Sequence, residues 1–119
     1  MIRIVAHVVV AALLGSVLAA IAYYLFFTGS WAWLNLIVWA VVAATTGFIL
    51  RTWRLSILDC AIIGFAIVFT YSILGYQGSS SLLAVLPAFA LIALVGALGT
   101  TAMGLVGQLV RRRTRTLDR

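Results

Sequence analysis

RTWRLSILDC, residues 51–60, separates two long apolar runs and carries Arg51, Trp53 and Arg54, followed by Asp59. The flanking runs cover about 31–50 and 57–74, close to the roughly 20 residues a helix needs to cross a hydrocarbon core of about 30 Å. Two further runs, about 4–27 and 82–110, make a set of four. In lipid a spanning segment must satisfy its own backbone polar groups, so the runs are helices. Spanning strands would show alternating polarity, and these runs do not. The expectation is an all-α integral membrane four-helix bundle of two transmembrane hairpins. It forms one domain over residues 1–119, with a basic tail at 111–119.

Composition points the same way. The chain is 66% hydrophobic and 8% charged, whereas soluble domains are about half apolar and a quarter charged. A water-facing exterior cannot be built from these residues. The net charge of +6 comes from arginine alone. In a soluble protein such a balance would suggest nucleic acid. Here the arginines sit at the ends of apolar segments, so membrane topology accounts for them and no nucleic-acid partner is expected. Cys60 is the single cysteine, which excludes an intramolecular disulfide and cysteine-rich metal sites.

The arginines also set an orientation. Arg3 precedes the first run, and Arg51 and Arg54 lie between the second and third. Arg111, Arg112, Arg113, Arg115 and Arg119 follow the fourth. The segments at 28–30 and 75–81 carry no charge. The positive-inside rule then places both termini in the cytoplasm of a multi-pass cell-membrane protein. Tyr23, Tyr24, Phe26, Phe27, Trp31 and Trp33 read as an outer aromatic belt, and Trp53 as its inner counterpart. The tail arginines would also attract anionic lipid headgroups, at about 1 kcal/mol per basic residue near the surface.

Three features qualify this outline. The fourth run, taken as helix throughout, would measure about 43 Å. Either Pro87 marks a kink or the true helix start, or the basic end projects beyond the membrane. Arg3, the apolar stretch and Ala20-Ile21-Ala22 have the form of a signal peptide, but the run continues through YYLFF, which suits a spanning helix. FTGSW at 27–31 faces YQGSS at 76–80, and GFILR at 47–51 faces GQLVR at 107–111. A parallel internal repeat would produce such matches, but they are short and compositionally easy.

Small residues recur at four-residue spacing: Ala11, Gly15 and Ala19; Ala40 and Ala44, with Ala43 and Gly47 beside them; Gly96, Thr100 and Gly104. This spacing lets helix backbones approach closely. The plain reading is packing within the chain. The sharper one is a face for a membrane-protein partner or a second copy, since four short helices have several such stripes to bury.

Asp59 has two readings. Ser56-x-x-Asp59 before an apolar run has the form of a capping box, with Ser56 as N-cap and Asp59 in the first turn against the positive end of the helix dipole. Alternatively His7, Asp59 and Gln108 lie at nearly one depth on three helices and form an inner polar cluster able to bind a cation or pass a proton. No catalytic constellation accompanies them: no HExxH, no phosphate loop and no paired carboxylates. Catalytic, cofactor and metal sites are therefore not expected, and facing histidines for a haem are missing.

In size and helix number the chain resembles small multidrug transporters and small fluoride channels. The likeness is architectural: the chain has no glutamate to match the membrane-embedded one of the former, and its arginine bias disfavours the dual topology of the latter. The leading expectation is a non-catalytic accessory or scaffold subunit that packs with other membrane proteins. The other is a small oligomeric transporter or channel built on the inner polar cluster.

Overall fold

The computed structural model describes residues 1–26, 34–50 and 52–117, apart from the side chains of Phe26 and Asn35. Four helices follow in order: α1, Ile2–Phe26; α2, Leu34–Ile49; α3, Trp53–Leu74; α4, Leu82–Leu117. The architecture is all-α, as expected. Three helices, α1, α3 and α4, are long and apolar enough to cross a membrane. The described part of α2 has 16 residues, about 24 Å, and residues 31–33, assigned to it from sequence, lie outside the described set. So do Phe27, Trp31 and Trp33 of the expected aromatic belt.

Large apolar side chains line the outside from one end of the molecule to the other, including Val9, Leu13, Val17, Leu36, Val95 and Leu98. Surfaces of this kind are stable only against an apolar solvent. The interior is correspondingly small. Ala11 and Ala19 of α1 pack with Ile63 and Ile67 of α3, and Leu18, Ile62, Trp39 and Tyr71 close around them.

The order of packing differs from the order of the chain. α1 lies against α3, α3 against α4, and α4 against α2, which also touches α3. α1 and α2 scarcely meet, and among the described residues α1 and α4 have no contact. The helices form an open ribbon of 60 × 39 × 19 Å. The two expected hairpins are thus unequal. α3 and α4 pack as a close antiparallel pair, whereas α1 and α2 barely touch. The reason lies in the small-residue faces. A Cβ added at Gly15 would stand 2.7 Å from the Ile63 carbonyl oxygen, so the glycine seats α1 on α3. Gly47 meets the backbone of Gly104, and Gly107 meets that of Ala44, which joins α2 to α4. Backbone proximity on these faces outweighs adjacency along the chain. The halves α1–α2 and α3–α4 do not repeat one another's packing, so nothing in the fold supports a duplication.

α4 resolves the question of its length. It begins at Leu82, contains Pro87 inside its second turn and continues as helix through the arginines to Leu117. Pro87 is therefore not the helix start, and residues 111–117 are the end of a 36-residue helix, about 54 Å long. Between α3 and α4 the chain turns at Gly75, whose N–H donates to the Tyr71 carbonyl at 2.9 Å. The Tyr76 hydroxyl donates to the Ser80 carbonyl at 2.9 Å, and its ring meets Phe89 edge-on at 5.6 Å.

Candidate functional site

The polar residues singled out from sequence gather at the arginine-bearing end, where α1 and α3 begin and α2 and α4 reach or pass one level. Two contacts mark that level. Arg112 stands over the Trp53 ring at 5.7 Å. The Leu50 carbonyl, at the end of α2, accepts from Gln108 Nε2 at 2.7 Å and from Arg111 Nη1 at 2.7 Å. Arg111 also donates to the Ile49 carbonyl at 3.3 Å. A helix end leaves its last carbonyls without partners, and α4 supplies them to α2.

The capping-box reading of Asp59 is corrected here. α3 starts at Trp53, with Thr52 as N-cap in an extended conformation and no side-chain capping bond. The Ser56 N–H already donates to the Thr52 carbonyl at 3.0 Å, so Ser56 lies inside the helix. Its hydroxyl is buried, with 1% exposure. Asp59 is six residues beyond Trp53, about 9 Å along the axis. It is too deep for a first-turn carboxylate to meet the helix dipole. An ionisable group at such depth in an apolar helix is costly unless it is paired.

Asp59 is paired with α1. His7 Nδ1 lies 3.6 Å from Asp59 Oδ2, with the histidine side chain 47% exposed and the aspartate side chain 8%. Asp59 Oδ1 is buried without a hydrogen-bond partner, and Ser56 Oγ is buried as well. The Cys60 thiol, next on this side of α3, lies beside the Ser56 hydroxyl and is itself a weak hydrogen-bonding group. It points to the Ala43 carbonyl at 3.6 Å. Gln108, the third member of the expected cluster, is buried but spends its amide on Leu50, so the cluster separates into a His7–Asp59 pair and a cap on α2. A cleft of about 260 Å³ lined by Arg3, Ala6, His7 and Val10 opens beside the pair.

The packing candidates are all engaged within the chain. Gly15 faces α3, Gly96 faces Val68, and Gly104 faces Cys60 and Gly47. Thr100 Oγ1 donates across to the Cys60 carbonyl at 2.8 Å, close against Gly64. That bond, and the one from Thr70 Oγ1 to Ser16 Oγ at 3.2 Å, were not legible beforehand. Their only signal in the sequence is a hydroxyl residue on, or next to, a small-residue stripe. An apolar cavity of about 270 Å³ lies between α2, α3 and α4, bordered by Trp39, Gly64, Ile67, Gly96 and Gly99.

Of the topology arginines, Arg54, Arg113 and Arg115 are exposed, whereas Arg111 and Arg112 are held by α2 and by Trp53. Arg51 and Arg119 lie outside the described residues, as does the Asn35 side chain. Among the described residues no three histidine, cysteine or acidic side chains gather as a metal site would need. No protein-family model, no curated protein and no solved structure matches the chain.

Proposed function

We propose that the protein is a multi-pass cell-membrane protein, with both termini cytoplasmic, that serves as a non-catalytic subunit packed beside other membrane proteins. The observation that carries this reading is the open ribbon. α1 is seated along α3 and hardly on anything else, and its other faces are bare from Met1 to Leu25. One of those bare positions is His7, half exposed at a depth where lipid offers it no hydrogen bond. A neighbouring helix with polar groups would cover it. The small-residue stripes no longer support the reading, because the chain consumes them itself.

Arg54, Arg113 and Arg115 are free to meet anionic lipid headgroups on the cytoplasmic face. The reading is tested by gentle extraction from the native membrane, followed by particle mass and identification of components. Larger proteins at fixed stoichiometry are the expected result. A particle made of this chain alone would overturn it and favour the second reading, an oligomeric transporter or channel. One observation favours that second reading: the buried Asp59, paired with His7 at the arginine-bearing end.

A further inference from the structure

We propose that His7 and Asp59 form a proton-binding site, in which the pair takes up one proton and exchanges it with the cytoplasmic side through the cleft beside His7. It needs only the chain's own residues and an open cleft beside His7.

Geometry and chemistry select the ligand. Asp59 turns Oδ2 to His7 at 3.6 Å and keeps Oδ1 buried with no partner. Ser56, one turn away on the same face, has a buried hydroxyl that lies beside the Cys60 thiol. A metal cation would want about six oxygens, and here a single carboxylate oxygen stands free on a helix whose carbonyls are engaged in its own bonds. A proton needs only that one. With one proton the pair is electrically neutral overall, as imidazolium with carboxylate or as imidazole with carboxylic acid. A second proton, or the loss of the first, leaves a net charge in an apolar setting. Removing either side chain therefore changes the electrostatic setting of the other.

The surrounding helices leave the pair isolated. Facing this end of α3, α1 contributes His7, with Arg3 one turn outward. α4 contributes Gln108 and Arg111, both held on the end of α2, and Arg112, which stands over Trp53 at the start of α3. α2 contains no titratable side chain, and α3 itself adds Cys60 and the exposed Arg54. His7 bridges the buried carboxylate and the cleft lined by Arg3, Ala6 and Val10, so the proton enters and leaves by the imidazole.

The composition makes the site unusually easy to observe. His7 is the only histidine, and Asp59 and Asp118 are the only acidic side chains. With the chain in lipid nanodiscs and an Asp118→Asn background, 15N-labelled histidine and 13Cγ-labelled aspartate report one residue each. The expected result is that both signals change with pH at common midpoints. Asp59→Asn then moves the histidine midpoint, and His7→Gln the carboxyl midpoint, by about one pH unit or more, a tenfold change in proton affinity. If one variant fails to fold, the other still reads the coupling. Midpoints that ignore the partner's removal, or signals that do not respond to pH, would overturn the proposal. So would displacement of the proton when sodium replaces choline at fixed pH, which would make the ligand a metal cation.

Discussion

The two seams of α3 are built on opposite plans. Toward α4 and α2 it presents Cys60 and Gly64, and the helices meet backbone to backbone: Gly64 under Thr100, Gly104 against Cys60 and Gly47. Toward α1 it presents Asp59, Ile63 and Ala66, and the joint holds the His7–Asp59 contact and a hydroxyl pair beside a single glycine contact. The first seam buries no ionisable oxygen or nitrogen. The second carries a carboxylate with an unpartnered oxygen. In lipid, helix association depends on close packing and polar contacts because the solvent is as apolar as the side chains. Both seams use both means, but only the α1 seam places a buried carboxyl among its polar contacts.

That contrast is most open to attack at the glycine crossing. Gly47→Leu drives a side chain into the Gly104 backbone and should destabilise the fold by about 3 kcal/mol or more, read as loss of the folded population in mixed-micelle unfolding with SDS. Survival of the folded state at wild-type detergent ratios would show that α2 is not locked to α4. His7→Leu strands a buried carboxylate and should cost about 1–3 kcal/mol, at the lower part of that range because the histidine is 47% exposed. The His7→Leu, Asp59→Leu double variant should recover most of that loss in the same assay. A double variant worse than the single one would mean that the pair is structural glue.

Within the close seam itself, Thr100→Val removes the bond to the Cys60 carbonyl and should cost only about 0.6 kcal/mol, showing that packing and not hydrogen bonding sustains it. The smallest effect belongs to Gly99→Ala. A Cβ there meets nothing within 4 Å, so the gain in helix propensity, at most about 1 kcal/mol, should leave stability level or slightly higher.

The sequence disclosed what depends on local composition. Apolar runs located the helices, and arginines located the end where α1 and α3 begin, because burial in lipid and charge at its surface are properties of short windows. It did not disclose rotation or partnership. Gln108, His7 and Asp59 each stand a few residues inside a basic end, yet Gln108 faces Leu50 and only the other two meet. Gly15 and Gly104 announced close approach without naming α3 or α2 as the helix approached. Ser56 looked like a cap because its pattern fits one, but Thr52 begins the helix a turn earlier and the serine hydroxyl is drawn into the interior. Two starts compatible with the same local pattern are decided by packing across the bundle.

Cys60 adds a kinetic dimension to the close seam. It is the chain's single thiol, 1% exposed, shut between Gly104 and the Ala43 carbonyl. A maleimide can reach it only when the crossing of α2, α3 and α4 opens, so the labelling rate is a clock for that opening. Because Asp59 precedes Cys60 directly in the chain, the clock sits one residue from the His7–Asp59 contact. Its rate, followed across pH, reports how far events at the α1 joint are felt in the locked half of the molecule.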